Sequence, residues 1–210
     1  MTIFEFDKNQ YCDLLCGVDE AGRGPLAGDI YAAAVILPAD CEIEGLNDSK
    51  KLTEQKRERL FDEIVKKAVS YCVATASVEE IERVNILHAT YLAMRRAVKG
   101  LSVVPSLALV DGNRDPNLGI STKCIVKGDA TSASIAAASI LAKVSRDRYM
   151  KEIAKQYPEY QFEQHKGYGT KLHYQMLNQF GESPIHRHSF LKKYYAQKEQ
   201  ESAKLSDAKK

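Results

Sequence analysis

The order of apolar and polar positions predicts strands and helices that alternate along most of the chain. Two short apolar runs, Leu14–Asp19 and Ile30–Leu37, are separated by turn-forming residues and are typical of buried strands. The stretch Leu52–Val69 repeats its apolar residues every three to four positions, which predicts an amphipathic helix. The same criteria predict, in chain order, a strand at Tyr71–Val78, a helix at Val84–Val98, strands at Leu107–Asp111 and Thr122–Val126, and a long helix from Thr131 to about Tyr157.

This alternation indicates an α/β protein with a mixed sheet flanked by helices. After Pro158 the chain carries two smaller helical segments, around "HKGYGTKLHYQMLNQFG" and "HSFLKKYYAQ". The final stretch, "QKEQESAKLSDAKK", is almost entirely polar, which is typical of disorder. We therefore expect a main α/β domain in residues 1–158, a helical extension in 159–196 and a disordered tail in 197–210.

Composition and charge indicate the size and the cellular compartment of the protein but say little about its function. The chain has 210 residues, which suit one compact domain, and 30 basic against 28 acidic residues, so the total charge does not indicate a polyanion partner. Its longest apolar run is far shorter than the roughly 20 residues of a membrane span, and its N-terminus lacks the basic segment of a signal peptide. Five scattered cysteines without a C-x-x-C pair predict free thiols. We expect a cytoplasmic protein that is not associated with a membrane.

Four acids stand at the ends of predicted strands. Asp19 and Glu20 close the first strand, Asp111 closes another, and Asp129 follows a third at the start of the long helix. Because sites in open α/β sheets form at strand ends, these acids can converge there. Clustered carboxylates favour Mg²⁺ or Mn²⁺, and two such ions about 4 Å apart can promote phosphodiester hydrolysis. The pattern alone leaves open solvated turn acids, with Asp129 as a helix N-cap.

The segment "GVDEAGRGPLAG" joins the first acids to a glycine-rich loop. Its spacing only loosely resembles a dinucleotide-binding fingerprint, because that motif opens a helix whereas Pro25 and a strand follow here. Glycines let backbone groups approach a ligand closely, and Arg23 adds a cation suited to phosphate. The loop therefore predicts close main-chain contact with a phosphate-bearing ligand.

Six segments together resemble the ribonuclease HII family, in family order from the first strand to residue 190. They are "GVDEAGRGPLAG", "DSKKL" at 48–52, "DG" at 111–112, "KGDATSASIAAASILAKVSRD" at 127–147, "HKGYGT" at 165–170 and "HRHSF" at 186–190. The resemblance implies a ribonuclease H-like fold with a mixed five-stranded sheet and a helical C-terminal extension. It also implies an endonuclease that hydrolyses the RNA strand of RNA–DNA hybrids. The same family incises 5′ to ribonucleotides embedded in duplex DNA and leaves 3′-OH and 5′-phosphate ends.

The resemblance also implies roles for particular residues. Asp19, Glu20, Asp111 and Asp129 match the metal-binding catalytic acids of the family. Gly22, Arg23 and Gly24 match the loop that reads the ribose 2′-hydroxyl, largely through main-chain groups. Tyr168 matches the tyrosine that lies against the sugar next to the cleaved linkage. Such contacts suit the chemistry, since only the 2′-hydroxyl distinguishes RNA from DNA at a given sugar.

Basic residues give a weaker signal. Lys50, in "DSKKL", either contacts a substrate phosphate or is a solvated surface lysine. Lys143 and Arg146 lie on the long helix and either line the same groove or face solvent. One departure from the family pattern is Asp29-Ile30, where Pro-Val is more usual; Asp29 adds an acid near the start of the second strand, and its effect on the metal site is left open.

The sequence also predicts the partner of the protein and leaves two alternative functions to weigh. The tail has no box for docking a sliding clamp, and the resemblance implies a monomer whose partner is nucleic acid. A non-catalytic hybrid-binding protein is the first rival, but a pure binder gains nothing from carboxylates that repel phosphates. A DNA-directed nuclease of the same broad fold is the second rival, and the glycine loop and Tyr168 argue against it.

Overall fold

The computed structural model describes residues 1–47, 49 and 52–207, with side chains through residue 200. Within that part, five strands form one mixed sheet in the spatial order β3-β2-β1-β4-β5. The strands are β1 at Leu15–Ala21, β2 at Ile30–Ile36, β3 at Ser70–Ala76, β4 at Leu107–Asp111 and β5 at Thr122–Ile125. The predicted fold class, a mixed five-stranded sheet flanked by helices, is confirmed.

Strand direction explains why the acids share one edge of the sheet. β2 pairs antiparallel with both β1 and β3, whereas β1, β4 and β5 run parallel to each other. The carboxyl ends of these three parallel strands therefore lie at the same edge. Asp19 and Glu20 lie in the last three residues of β1, Asp111 ends β4, and Asp129 follows β5 in a short 3-10 turn.

Helices cover both faces of the sheet. They are α1 at Ile3–Lys8, α2 at Glu54–Lys67, α3 at Val78–Lys99, α4 at Ala133–Gln156, α5 at Phe162–His165, α6 at Lys171–Phe180 and α7 at Lys192–Asp207. α3 packs on one face through a core that includes Val18, Ile30 and Ala93. α4 packs on the other face, and α2 packs against the outer side of α4. No helix in the described residues is long and apolar enough to cross a membrane.

The contact between β1 and α4 is very close and fixes where Asp19 lies. A Cβ atom added to Gly17 would overlap the main-chain carbonyl carbon of Ser134 in α4. Side chains alternate between the faces of a strand, so Gly17 and Asp19 face α4 together. Asp19 is therefore held under α4, where the side chain of Ser139 hydrogen-bonds to it.

α3 begins earlier than the periodicity predicts because it consists of two helical segments. Ser77 and Glu80 form a capping box that starts the first segment at Val78. Asn85 then has a φ of 67°, and its Oδ1 accepts hydrogen bonds from the amides of Leu87 and His88. Asn85 thus caps the second segment, which is the part that the apolar spacing predicts.

The C-terminal extension is tied to the loop between β1 and β2. The amide of Leu26 donates to Gly167 O at 2.8 Å, and the amide of Gly28 donates to Ile185 O at 2.9 Å. A single β-bridge also pairs Ala27 with His186. The boundary at residues 158–159 stays a prediction. The backbone of α7 is helical to Asp207, well into the segment that the sequence predicts to be disordered.

Candidate active site

A cavity of about 220 Å³ lies at the edge of the sheet where β1 and β4 end. Most of the predicted site residues line it, namely Asp19, Glu20, Asp111, Gly22, Arg23, Gly24, Lys143 and Tyr168, together with Ser49 and Ser139. A second cavity of about 310 Å³ shares Glu20, Arg23 and Asp111 with it and continues on the α3 side past Tyr91. The acids therefore stand in a continuous depression rather than on isolated turns.

Burial and mutual repulsion define the electrostatics of the carboxylates. Asp19 is only 4% exposed, and its Oδ1 accepts a hydrogen bond from the amide of Glu20 at 2.7 Å. Burial, followed by the negative charges of Glu20 and Asp111, raises the pKa of Asp19 well above its ordinary value. A nearby positive charge would relieve this repulsion. The guanidinium of Arg23 lies 3.4 Å from Glu20 Oε1, and its side chain is half exposed.

Asp129 reaches the same edge by a different route. The amide of Gly128 donates to Asp111 Oδ1 at 2.6 Å, which holds the turn carrying Asp129 beside Asp111. Asp129 itself is buried and does not line the cavity. The structure thus brings three of the four acids into the cavity and the fourth next to it.

This donor set fits divalent magnesium or manganese. Every predicted ligand is a carboxylate oxygen, which is the ligand type that these hard cations prefer. No group of three or more acidic, histidine or cysteine side chains in the described residues is already gathered to hold a metal ion. Burial, and then the negative charges of Glu20 and Asp111, raise the pKa of Asp19, so a cation bound here would offset an unfavourable negative charge.

The glycine loop and Tyr168 also line the cavity. Gly22 has a φ of 100°, and an added Cβ there would overlap the Arg146 side chain, so only glycine fits. An added Cβ on Gly24 would lie 3.8 Å from Tyr168 Cε1, so the tyrosine ring faces this glycine. The Tyr168 side chain is 42% exposed and therefore accessible to a ligand in the cavity.

The basic residues predicted to contact the substrate lie in different environments. Lys143 lines the cavity, with its Nζ 5.8 Å from the centre of the Tyr168 ring and 2.7 Å from Asp147 Oδ1. Arg146 is only 1% exposed and donates its hydrogen bonds to main-chain carbonyls, so its guanidinium holds the protein rather than facing the groove. Here the structure differs from the predicted direct substrate contact. Lys50 lies outside the described residues.

Asp29 lies away from the cavity. Its Oδ1 accepts a hydrogen bond from the amide of Val78 at 3.1 Å, at the start of α3. Burial raises its pKa, while the charges of Arg187 and Arg146 oppose that rise. The unusual acid thus supports the start of α3 and does not line the cavity.

Sequence reasoning missed the residues that hold the loop from below. Arg187 is completely buried and binds four loop carbonyls, and Ser139 contacts Asp19. The available signal for Arg187 was its place in "HRHSF", which the resemblance includes without assigning it a role. The basic residues around Arg187 indicate a surface that follows a nucleic-acid backbone, and the complete burial of Arg187 shows that this interpretation is wrong for Arg187.

Three buried histidines of the extension brace the loop that carries Tyr168. The rings of His165 and His173 stack with centroids 4.4 Å apart, and His173 Nε2 lies 2.9 Å from His186 Nε2. His173 Nδ1 lies 3.0 Å from Tyr168 O. Burial lowers the pKa of His173 and of His186 to about 4, so both rings are neutral at neutral pH.

We expect His173 and His186 to contribute a loss of stability as the pH falls from about 6.5 to about 4, whereas the raised pKa values of Asp19 and Asp29 act in the opposite direction. In this window the unfolded histidines bind protons that the folded ones exclude, so each of His173 and His186 costs up to about 1.4 kcal/mol per pH unit. Urea unfolding at pH values between 7 and 4 measures the slope. His173→Gln should flatten it, whereas the exposed control His88→Gln should leave it unchanged. Equal slopes in wild type and His173→Gln would contradict this account.

Comparisons with known proteins cover most of the chain. Residues 16–193 match the family model described as ribonuclease HII. The ribonuclease HII of Caldicellulosiruptor bescii is 55% identical over 192 residues, which cover 90% of this chain and 93% of the relative. The crystal structure of ribonuclease H2 from Pyrococcus horikoshii superimposes with a TM-score of 0.71 at 28% identity, covering 84% of this chain and 93% of that one. The RNase HII in a PCNA complex from Archaeoglobus fulgidus has a TM-score of 0.66 at 25% identity, covering 83% and 94%.

Proposed function

Because the chain belongs to the ribonuclease HII family and is therefore an endoribonuclease of RNA–DNA hybrids, we propose that the cavity between β1, β4 and the glycine loop is its active site. One observation carries this proposal. Asp19, Glu20 and Asp111 share a single cavity with Gly22, Gly24 and Tyr168, so the acids and the residues expected to recognise the ribose border the same space. A purely hybrid-binding protein has no use for a buried acid with a raised pKa at that place.

The acids are proposed to hold two divalent cations, Mg²⁺ or Mn²⁺. Asp19, Glu20, Asp111 and Asp129 would supply the carboxylate oxygens. When bound, such ions lower the pKa of a water molecule and stabilise the leaving oxygen of a phosphodiester. The chain's own part is to orient the carboxylates: Ser139 and the amide of Glu20 fix Asp19, and the amide of Gly128 fixes Asp111.

The glycine loop and Tyr168 are proposed to select the cleavage position. Main-chain groups of Gly22, Arg23 and Gly24 would contact the 2′-hydroxyl, because without side-chain atoms the two glycines allow an approach of about 3 Å. The Tyr168 ring would pack against the next sugar, where a 2′-hydroxyl would be crowded. Together they favour a cut 5′ to a ribonucleotide in duplex DNA, leaving 3′-OH and 5′-phosphate ends. Lys143 would pair with a phosphate.

Three duplexes of identical sequence test this proposal. We expect cleavage of an RNA–DNA hybrid and of duplex DNA with one ribonucleotide, and no cleavage of all-DNA duplex. Cleavage of the all-DNA duplex would instead favour a DNA-directed nuclease. A gel shift with the hybrid but no cleavage in the presence of Mg²⁺ or Mn²⁺ would favour a non-catalytic binder.

Tyr168→Ala is expected to slow cleavage at a lone ribonucleotide by about tenfold or more, since without the ring the adjacent sugar and the scissile phosphate are less precisely positioned. Duplex binding should weaken far less, because the remaining contacts are unchanged. Single-turnover rates and binding titrations measure the two effects separately. Tyr71→Ala is the matched control, because Tyr71 is 40% exposed on β3 and does not line the cavity. Equal losses of rate and binding in Tyr168→Ala would mean that the ring only packs.

The protein partners of this chain are known only as predictions from the sequence. The Archaeoglobus neighbour was solved in a complex with PCNA, which is a property of that protein. The expectations that this chain lacks a clamp-docking box and acts as a monomer are carried forward as predictions. Nucleic acid is the partner that the family assignment gives.

A further inference from the structure

Two arginines are buried beneath the loop that joins β1 to β2. Arg187 is 0% exposed and Arg146 is 1% exposed. Among the described residues, neither guanidinium has a carboxylate oxygen within 4.0 Å. Burial lowers the pKa of Arg187 to about 9, which still leaves it charged at neutral pH. The charge of Asp29 acts on Arg187 and Arg146 only from beyond 4.0 Å, and burying a charge without a carboxylate in contact is costly, so the groups that these arginines hydrogen-bond must help to compensate.

Those groups are the carbonyl oxygens of the loop. Arg187 donates to the carbonyls of Gly22 at 2.7 Å, Arg23 at 3.2 Å, Pro25 at 2.9 Å and Gly28 at 2.6 Å. Hydrogen bonds from a charged donor are about twice as strong as neutral ones. One guanidinium from the C-terminal extension thus hydrogen-bonds to four carbonyl groups within seven residues of the loop.

Arg146 holds the far end of the same loop from α4. It donates to the carbonyls of Ala27 at 3.0 Å and Asp29 at 3.1 Å, and also to Lys166 at 2.9 Å. Lys166 stands two residues before Tyr168. The loop and the segment carrying Tyr168 are therefore joined through one side chain.

The direction of these carbonyls fixes the direction of the amides. In a trans peptide the N–H points opposite to the preceding C=O, and the described residues contain no cis peptide. Because the carbonyls of Gly22 and Arg23 point down to Arg187, the amides of Arg23 and Gly24 point away from it. Arg187 is buried beneath the loop, whereas Gly22, Arg23 and Gly24 line the cavity, so amides that point away from Arg187 are placed to meet a ligand there.

We propose that Arg187 is a positioning residue for ribose discrimination, acting by orienting the amides of Arg23 and Gly24 toward the ribose. This inference rests on the proposed function and adds a residue outside the cavity to it. Lysine cannot replace the arginine, because a single ammonium lacks the planar five-donor fork that spans separate carbonyls. Arg187, which belongs to the C-terminal extension, thereby influences the selectivity for a ribonucleotide although it does not contact the substrate.

Arg187→Lys tests the proposal through selectivity rather than rate alone. The readout is the ratio of kcat/KM for duplex DNA with one ribonucleotide to kcat/KM for the same duplex with a 2′-fluoro nucleotide at that position. We expect the ratio to fall by about tenfold or more, with most of the loss in kcat, because misoriented donors no longer favour the hydroxyl. The matched control is Arg96→Lys, since Arg96 also binds a main-chain carbonyl, that of Thr75, on the far strand β3. The control ratio should equal that of wild type.

An unchanged ratio in Arg187→Lys, whatever the loss of thermal stability, would overturn the proposal and leave Arg187 with a structural role only. If the variant does not fold, amide NMR signals of the wild-type protein test the proposal instead. With EDTA present, the Arg23 and Gly24 amide signals should shift more with ribonucleotide-containing duplex than with all-DNA duplex. Identical shifts would overturn the proposal.

Failure of the proposed function looks different from failure of this inference. If wild type does not cleave at a ribonucleotide, the proposed function fails. If wild type cleaves there and Arg187→Lys keeps the wild-type ratio, only the role of Arg187 fails.

Discussion

Asp19→Asn is expected to abolish cleavage while the chain still folds and binds its substrate. Asparagine keeps the Oδ1 atom that accepts the amide of Glu20, but it removes the charge that a divalent cation requires. We expect the rate to fall by about three orders of magnitude or more, as for removal of other groups that act as a catalytic unit. Single-turnover cleavage and gel shift on the same duplex measure both properties.

The stability of Asp19→Asn provides a second check. Burial and the charges of Glu20 and Asp111 raise the pKa of Asp19, so ionised Asp19 is unfavourable without cations. In EDTA the variant should therefore melt no lower than wild type. Asp62→Asn is the matched control, since Asp62 is an exposed acid on α2, and it should leave cleavage unchanged. Substantial turnover by Asp19→Asn would contradict the assignment of the site.

Gly17→Ala is expected to destabilise the fold by about 3 kcal/mol or more, because added bulk at a tight core contact forces the backbone apart. The new methyl group would overlap the main chain of Ser134, and a backbone cannot rotate away as a side chain can. Separation of β1 from α4 would also displace Asp19 from Ser139, so activity should fall with stability. Urea unfolding and cleavage rates measure both.

Gly24→Ala serves as the stability control for Gly17→Ala. Its added Cβ would lie 3.8 Å from the nearest atom, Tyr168 Cε1, which is ordinary van der Waals contact, and its φ is not positive. Its free energy of unfolding should stay close to the wild-type value. Equal stability of Gly17→Ala and wild type would show that α4 does not pack on β1 as closely as described.

Much of the fold and of the acidic site could be predicted because both depend on local patterns. Apolar runs bounded by turn residues identify β1, β2, β4 and β5 within two residues at each end. Once the strands are parallel, acids such as Asp19 and Asp111 at their carboxyl ends must share an edge. The roles of Gly22 and Tyr168 came from the family resemblance rather than from pattern, and they stay predictions.

The remaining features depend on contacts between distant parts of the chain. Gly17 reads as an ordinary strand residue until α4 is laid across it. Asn85 reads as part of a helix, although its positive φ divides α3. Arg146 and Arg187 have the charge of surface residues, and only the folded loop supplies the carbonyls that let them be buried. Such pairings have no signature in local spacing.

Metal-dependent cleavage of duplex DNA with one ribonucleotide tests the central claim most directly. The assay compares Mg²⁺, Mn²⁺ and EDTA, maps the cut at nucleotide resolution and identifies the end groups. We predict a single cut 5′ to the ribonucleotide with Mg²⁺ or Mn²⁺, 3′-OH and 5′-phosphate ends, and no product in EDTA. Undiminished cleavage after exhaustive chelation, or cuts unrelated to the ribonucleotide, would contradict the proposed carboxylate site and its neighbouring loop.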